Sequence, residues 1–239
     1  MMERIAEASP RFQARMAGVF AWITTTAAFA EIVRSRLVVY GDAAATAHNI
    51  LAHELLFRLA FAGDVIATLY IAYALLLYNL FRPVNRSLSL LAAFFSLVGC
   101  AIGAFNCLFH LAPLVVLGGG QYLSMFKVEQ LQTLAYMFLE LNAQAWNDEF
   151  MVFFGIYCVL IGYLIFRSTF LPRIVGALMA CAGLGYLTLL YAPHADYLHP
   201  YNLAPGALGE PSLMLWLPIV GVNVERWKER ASSIGEWRA

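Results

Sequence analysis

Ten polar or ionisable residues sit inside or at the ends of long apolar stretches: Glu31, Arg58, Asp64, Asn106, His110, Asp148, Glu149, His194, Asp196 and Glu210. Such groups are costly near lipid unless they face protein or a wet cavity, so they point to the handling of a ligand, an ion or a proton. Arg58 is suited to hold an anionic group, while Asp64, Glu149 and His110 are suited to tune charge or relay protons. Asn106 and His110, four residues apart, share a helix face and form a candidate polar pair. Glu54 and Arg58 have the same spacing, and their plainer reading is an ion pair on a helix surface.

Metal ligation is the other chemistry to weigh. His48-x4-His53-Glu54 and His194-x-Asp196-x2-His199 supply the ligand types of zinc, copper or haem iron. Neither spacing is a recognised metal signature, and the His53-Glu54 pair lacks the second histidine of H-E-x-x-H. His48, His53, His194 and His199 are therefore candidates beside a plainer reading as hydrated or hydrogen-bonded histidines. Cys100 and Cys107 lie two helical turns apart, too far to bridge, and with Cys158 and Cys181 read as core packers. Thr24, Thr25, Thr26 and Thr68 can bond back within their helices. Gly118-Gly119-Gly120 lacks the Lys-Ser/Thr of a phosphate loop, and no serine stands in a G-x-S-x-G elbow. Covalent catalysis has no positive support.

Membrane-spanning helices are the elements that would position these groups. Of 239 residues, 62% are apolar and only 13% charged, against about 25% charged in an ordinary soluble domain. That is too little polar surface to cover a water-soluble globule, so much of this one faces lipid. Fifteen basic and fifteen acidic residues cancel, leaving no net charge to attract nucleic acid. Six apolar segments of about 20 residues each predict spans near 14–33, 57–81, 88–111, 149–166, 172–192 and 205–224. They form a single transmembrane domain over 1–239, ending in a short cytoplasmic tail at 225–239 that carries Trp227. Arg11, Arg15 and Ala28-Phe29-Ala30 also fit a cleaved signal peptide, but a retained first span is preferred. The connection over 34–56 is mixed and partly helical. In the other long connection, Leu131, Leu134, Met137, Phe138 and Leu141 recur at helical spacing, predicting an amphipathic outer-face helix near 121–145.

Placing both termini in the cytoplasm puts eleven basic residues inside and leaves Arg34, Arg36, Arg58 and Lys127 outside, in accord with the positive-inside rule. Ten of the fifteen acids and all five histidines then lie on the outer side or in the outer half of the membrane. Asp64 precedes Arg82 by 18 residues, and Glu149 precedes Arg167 by the same number. At about 1.5 Å per residue each lies roughly 27 Å from the inner anchors, and Asn106 and His110 reach a similar depth.

Tyr78-x-x-Phe81-Arg82 and Tyr163-x-x-Phe166-Arg167 match at an offset of 85, as do Asp64 and Glu149, which is compatible with a parallel duplication or with chance between apolar sequences. Phe81-Arg-Pro-Val-Asn-Arg-Ser-Leu88, Gln130-Leu-Gln132, Gly162-Tyr-Leu-Ile-Phe-Arg-Ser168, Phe170-Leu-Pro-Arg173 and Gly209-Glu210 with Leu215-Trp-Leu217 follow one another along the chain. This succession resembles the bacterial integral membrane family filed as domain of unknown function 4386. The resemblance implies an all-α inner-membrane protein of six or seven helices with no agreed activity, and marks Arg58 and Glu210 as family positions.

The leading expectation is thus a multi-pass protein of the bacterial inner membrane, embedded in the lipid bilayer and with no nucleic-acid partner. An outward-facing polar pocket would bind a small molecule or ion through Arg58, Asp64, Asn106, His110, Glu149, His194 and Glu210, in a transporter or sensor-like module. The alternatives are a metal- or haem-dependent membrane enzyme acting on a lipid-soluble substrate, and a structural subunit of a membrane complex. The sequence identifies no particular cofactor and leaves the oligomeric state open.

Overall fold

The computed structural model describes residues 9–190, 197, 198 and 200–233, with nothing said of the side chains of 147–149. Among these residues the apolar runs are helices and there is no strand. The helices are α1 (Pro10–Thr24), α2 (Thr26–Leu37), α3 (Ala43–Ala52), α4 (Glu54–Ala67), α5 (Tyr70–Phe81), α6 (Arg86–Leu117), α7 (Val128–Gln144), α8 (Met151–Arg167), α9 (Arg173–Leu187), α10 (Ala204–Ile219) and α11 (Val224–Ser233). A π-helical segment, Ala145–Phe150, leads into α8. At the start of α7 the Gln130 side chain accepts the Lys127 amide at 2.9 Å, and Asp42 caps α3 by accepting from the Ala45 amide at 2.8 Å.

Four helical stretches among the described residues are long and apolar enough to cross a membrane: Pro10–Leu37, Glu54–Phe81, Arg86–Leu117 and Arg173–Leu190. A fifth is gained if α10 and α11, which meet at 99°, are taken as one broken span. The apolar α8 has 17 residues, about 26 Å of helix and just short of the ~30 Å hydrocarbon core. The segment expected at 205–224 thus stops at Ile219, where the chain turns through the left-handed Gly221 (φ 76°).

The chain divides into two compact units. The first takes residues up to Trp22, Tyr70–Cys100 and the chain from Phe150 onward; the second takes Ile23–Leu69 and Ala101–Glu149. In the first, α8 packs against α9, and α9 against α10. The α8–α9 contact is an antiparallel glycine seam in which Gly155 meets Gly183 and Gly162 meets Gly176. A Cβ on Gly162 would stand 2.5 Å from the Ala180 nitrogen, and one on Gly176 would stand 2.7 Å from the Gly162 carbonyl oxygen. Lipid provides no hydrophobic drive between helices, so backbone contact of this closeness supplies the attraction by van der Waals packing. Around the seam lie Leu77, Leu80, Phe81, Ile161, Leu213 and Leu217, all fully buried.

The tail expected at 225–239 begins as a helix over Val224–Ser233. Its Trp227 is only 5% exposed because the indole N–H donates to the Leu80 carbonyl at 2.9 Å. Residues beyond 233 lie outside the described part.

In the second unit α2 packs against α4, and α3 against α7. The Tyr136 hydroxyl of α7 accepts the Gly41 amide at 3.0 Å, just ahead of α3. That N–H favours the phenolate, but the nearby Glu140 carboxylate outweighs it and holds the phenol above its ordinary range. Helix α7 falls within the region where an amphipathic helix is expected. Ala135, Leu139 and Asn142 are buried, whereas Met137 and Leu141 are exposed. A small residue and an amide with a partner on α6 allow a closer approach than the bulky stripe would.

Replacing Gly162 by Ile should cost about 3 kcal/mol or more, because the added atoms meet backbone that has no room to retreat. At Gly103 a Cβ would meet nothing within 4 Å, and Ala there should be neutral or stabilising by about 0.5–1 kcal/mol. Thermal unfolding of both variants in one detergent checks this; equal melting temperatures would show that the seam does not hold the pair together.

Candidate functional site

The second unit carries the densest set of charged side chains. Helix α2 bears Glu31 and Arg34, three residues apart. Helix α4 bears Phe57, Phe61 and Asp64 at i, i+4 and i+7, so the three share one face. Helix α6 bears His110. The approach of α2 to α4 depends on Gly63, whose carbonyl accepts the Thr26 hydroxyl at 2.9 Å, and where a Cβ would lie 2.9 Å from the Thr26 carbonyl oxygen. The Thr26 hydroxyl also bonds back to Ile23 at 3.0 Å, and Thr68 bonds only back, to Val65 at 2.6 Å.

Asp64 Oδ2 lies 2.6 Å from Arg34 Nη1 and 2.7 Å from His110 Nδ1, while those two nitrogens are 3.0 Å apart. An ionised carboxylate only accepts, and guanidinium only donates. With Asp64 ionised, the hydrogen must therefore be on Nδ1, and both nitrogens donate to the same oxygen. The 3.0 Å approach is then between two donors held together by their shared acceptor. Arg34 turns its other nitrogens to Glu31 Oε2, with Nη2 at 2.9 Å and Nε at 3.2 Å. The side chains of Arg34 and Asp64 are 11% and 13% exposed, and His110 is fully buried. The Phe57 ring lies 4.5 Å from the imidazole between centroids and the Phe61 ring 6.0 Å, so both flank it.

One atom of this cluster has no hydrogen-bond partner among the described residues: His110 Nε2. In the neutral ring it is a lone pair, and in the protonated ring it is a donor. With a neutral imidazole, Glu31, Arg34 and Asp64 sum to a charge of −1. One added proton brings the cluster to zero. A proton taken up at His110 would therefore cancel a net negative charge among apolar helices.

Of the residues singled out in the sequence, Asp64 and His110 meet. Asn106 lies one turn from His110 but is engaged elsewhere: its amide donates to the Asn142 carbonyl at 2.9 Å, and Asn142 donates back to Asn106 O at 3.2 Å and Oδ1 at 3.0 Å. Both are buried, clasping α6 to α7. Arg58 does not join the cluster. It is 55% exposed and pairs with Glu54 at 2.7 Å, as its i, i+4 spacing suggests. Six residues from Asp64 on a helix of 3.6 per turn, it lies on a different face. Glu210 lies in the first unit, where it accepts the Tyr186 hydroxyl. The side chain of Glu149 and the residues His194 and His199 lie outside the described residues. His48 and His53 are exposed, and no group of three or more His, Cys, Asp or Glu placed to hold a metal occurs among the described residues.

The residue missed by the sequence reading is Arg34. Helix α2 continues to Leu37 instead of ending at 33, so Arg34 sits one turn inside it, not in a loop. The signal available was the Glu31–Arg34 spacing. A groove of about 290 Å3 lies beside α6 and α7, lined by Leu108, Leu111, Ala112, Val115, Val116 and Phe138. Its walls are apolar, and none of the polar residues singled out in the sequence lines it.

Replacing Asp64 by Ala removes the shared acceptor and leaves Arg34 and His110 without it, which should cost about 3–5 kcal/mol. Arg58→Ala, at an exposed pair, should cost no more than about 1 kcal/mol. Unfolding in detergent compares the two directly, and similar losses would overturn the distinction drawn between them.

Comparison with known proteins places this geometry in a family context. A family model described as "Domain of unknown function (DUF4386)" matches residues 16–221. The chain is 29% identical over 160 residues to a protein of Archaeoglobus fulgidus described as an uncharacterized protein, covering 66% of this chain and 80% of the relative. No solved structure matches significantly.

Proposed function

We propose, from the premise that the chain belongs to the DUF4386 family and from the geometry around Asp64, that it is a multi-pass membrane protein binding a small molecule or ion in exchange for a proton. The observation that carries this reading is a buried imidazole, donating to a carboxylate shared with an arginine, whose second nitrogen has no partner among the described residues. In apolar helices such groups are expensive, and function is the usual reason to keep them. Arg34, not Arg58, orients the acid, and His110 takes up and returns the proton. Phe57 and Phe61 keep bulk water from the ring. A transporter or a sensor-like module would use this centre in the same way.

In this reading the chain crosses six times, as Pro10–Leu37, Glu54–Phe81, Arg86–Leu117, Met151–Arg167, Arg173–Leu190 and Ala204–Ile219. Both termini are cytoplasmic, α7 lies on the outer face, and the six spans form one transmembrane domain. The distribution of basic residues supports this orientation. The proposed location is the bacterial inner membrane.

The test uses the full chain in liposomes loaded with a pH-sensitive dye. Gradients of sodium, potassium, acetate and phosphate are applied in turn. At least one solute should change the internal pH with the wild type. His110→Asn, which keeps a donor toward Asp64 but has no atom to titrate, should reduce that response at least tenfold while the melting temperature shows that the protein remains folded. A response unchanged in His110→Asn, or none for any solute with the wild type, would overturn proton coupling.

A further inference from the structure

We infer that the first unit carries a binding surface for the headgroups of anionic phospholipids, built where four chain segments meet at one of its ends. The segments are the start of α1, the turn between α5 and α6, the loop between α8 and α9, and α11. Their convergence is fixed by specific contacts. Trp227 Nε1 donates to Leu80 O at 2.9 Å, the Asn223 amide to Phe170 O at 3.1 Å and Arg226 Nη1 to Thr169 O at 3.1 Å. The rings of Phe81 and Phe170 stack at 5.9 Å, and a Cβ on Gly221 would lie 3.4 Å from Arg11 Cγ.

Each segment places exposed cations there: Arg11, Arg86, Arg167, Arg173, Arg226 and Lys228. The described acids on these segments are Glu225 and Glu229. Ion pairs among the described residues, Arg34 with Glu31 and Asp64, Arg58 with Glu54, and His110 with Asp64, all belong to the other unit. None of these six cations is in an ion pair among the described residues, which leaves them open to an external anion.

Two further observations make that anion a lipid headgroup. First, exposed cations stand next in sequence to exposed large apolar residues: Arg11 beside Phe12 (52% exposed), Arg167 beside Phe166 and Arg173 beside Ile174 (65%). Arg173 also lies over the Phe166 ring at 5.7 Å. In water this alternation would expose apolar surface to no purpose; at a bilayer boundary the apolar groups enter the acyl region while their neighbours stay at the phosphate level. Second, the apolar α10 turns by 99° into the polar α11, which buries Trp227 and Ala231 and exposes Arg226, Lys228 and Glu229. A polar helix set nearly at right angles to an apolar span lies along the membrane surface. This surface is independent of the Asp64 centre.

The test uses the purified full chain in neutral detergent, with dioctanoylphosphatidylglycerol, dioctanoylphosphatidylcholine and inorganic phosphate as separate probes and native mass spectrometry as the readout. Phosphatidylglycerol should be retained about tenfold better than phosphatidylcholine at low salt, with the preference shrinking as salt rises. Arg167→Gln, Arg173→Gln and Lys228→Gln together should abolish the preference, whereas Arg58→Gln, an exposed cation of the other unit, should leave it intact. If the triple variant does not fold, Arg173→Gln and Lys228→Gln singly should each weaken retention of phosphatidylglycerol about fivefold. Equal retention of the two lipids would overturn the proposal. So would inorganic phosphate displacing phosphatidylglycerol at equal concentration, which would mark a site for free anions.

Discussion

The second unit depends on a single oxygen, Asp64 Oδ2, which accepts from Arg34 and His110 at the same time. A guanidinium nearly buried between apolar helices is costly unless a carboxylate is close, and a carboxylate that deep is costly unless donors surround it. Each group therefore justifies the other, and neither is tolerable alone. The third member differs in kind, because one nitrogen of its buried imidazole has no hydrogen-bond partner among the described residues. That difference is why the cluster reads as a device and not merely as a strut.

The rest of the unit serves to bring three helices to that oxygen. Gly63 lets the backbone of α4 close on Thr26, and because it is the residue before Asp64, the closest approach of α2 and α4 falls beside the carboxylate. The Asn106–Asn142 clasp holds α6 to α7 one turn away from His110. In lipid, interhelical amide bonds and small-residue contacts carry the work that apolar burial does in water. Tight glycine contact thus recurs in the first unit, where Gly155, Gly162, Gly176 and Gly183 seam α8 to α9 with no charge involved.

Helix class and membrane character were legible because composition and span length are summed over many residues, and an error of a few positions does not change the sum. The site was only half legible for the opposite reason. Asp64 and His110 stood out as polar groups inside apolar runs, but whether Arg34 or Arg58 completes them depends on one helical turn at the end of α2 and on which face of α4 each side chain occupies. Arg58 looked better placed by depth; its spacing from Glu54 already described its actual partner. For Asn106 the sharing of a face with His110 was read correctly, yet periodicity within one helix says nothing about the neighbour that claims the amide.

Zero net charge therefore conceals two different uses of charge. In the second unit, opposite charges meet atom to atom around Asp64 and Arg34. In the first unit, exposed cations stand outside any ion pair among the described residues, three of them beside an exposed apolar neighbour. Matched charge in an apolar interior stores a response to a proton, whereas unmatched charge at a polar end fixes where the protein rests against its membrane. A helical membrane protein that couples proton binding to a ligand needs both, because a buried switch can report on one side of a bilayer only if the chain around it keeps a defined orientation.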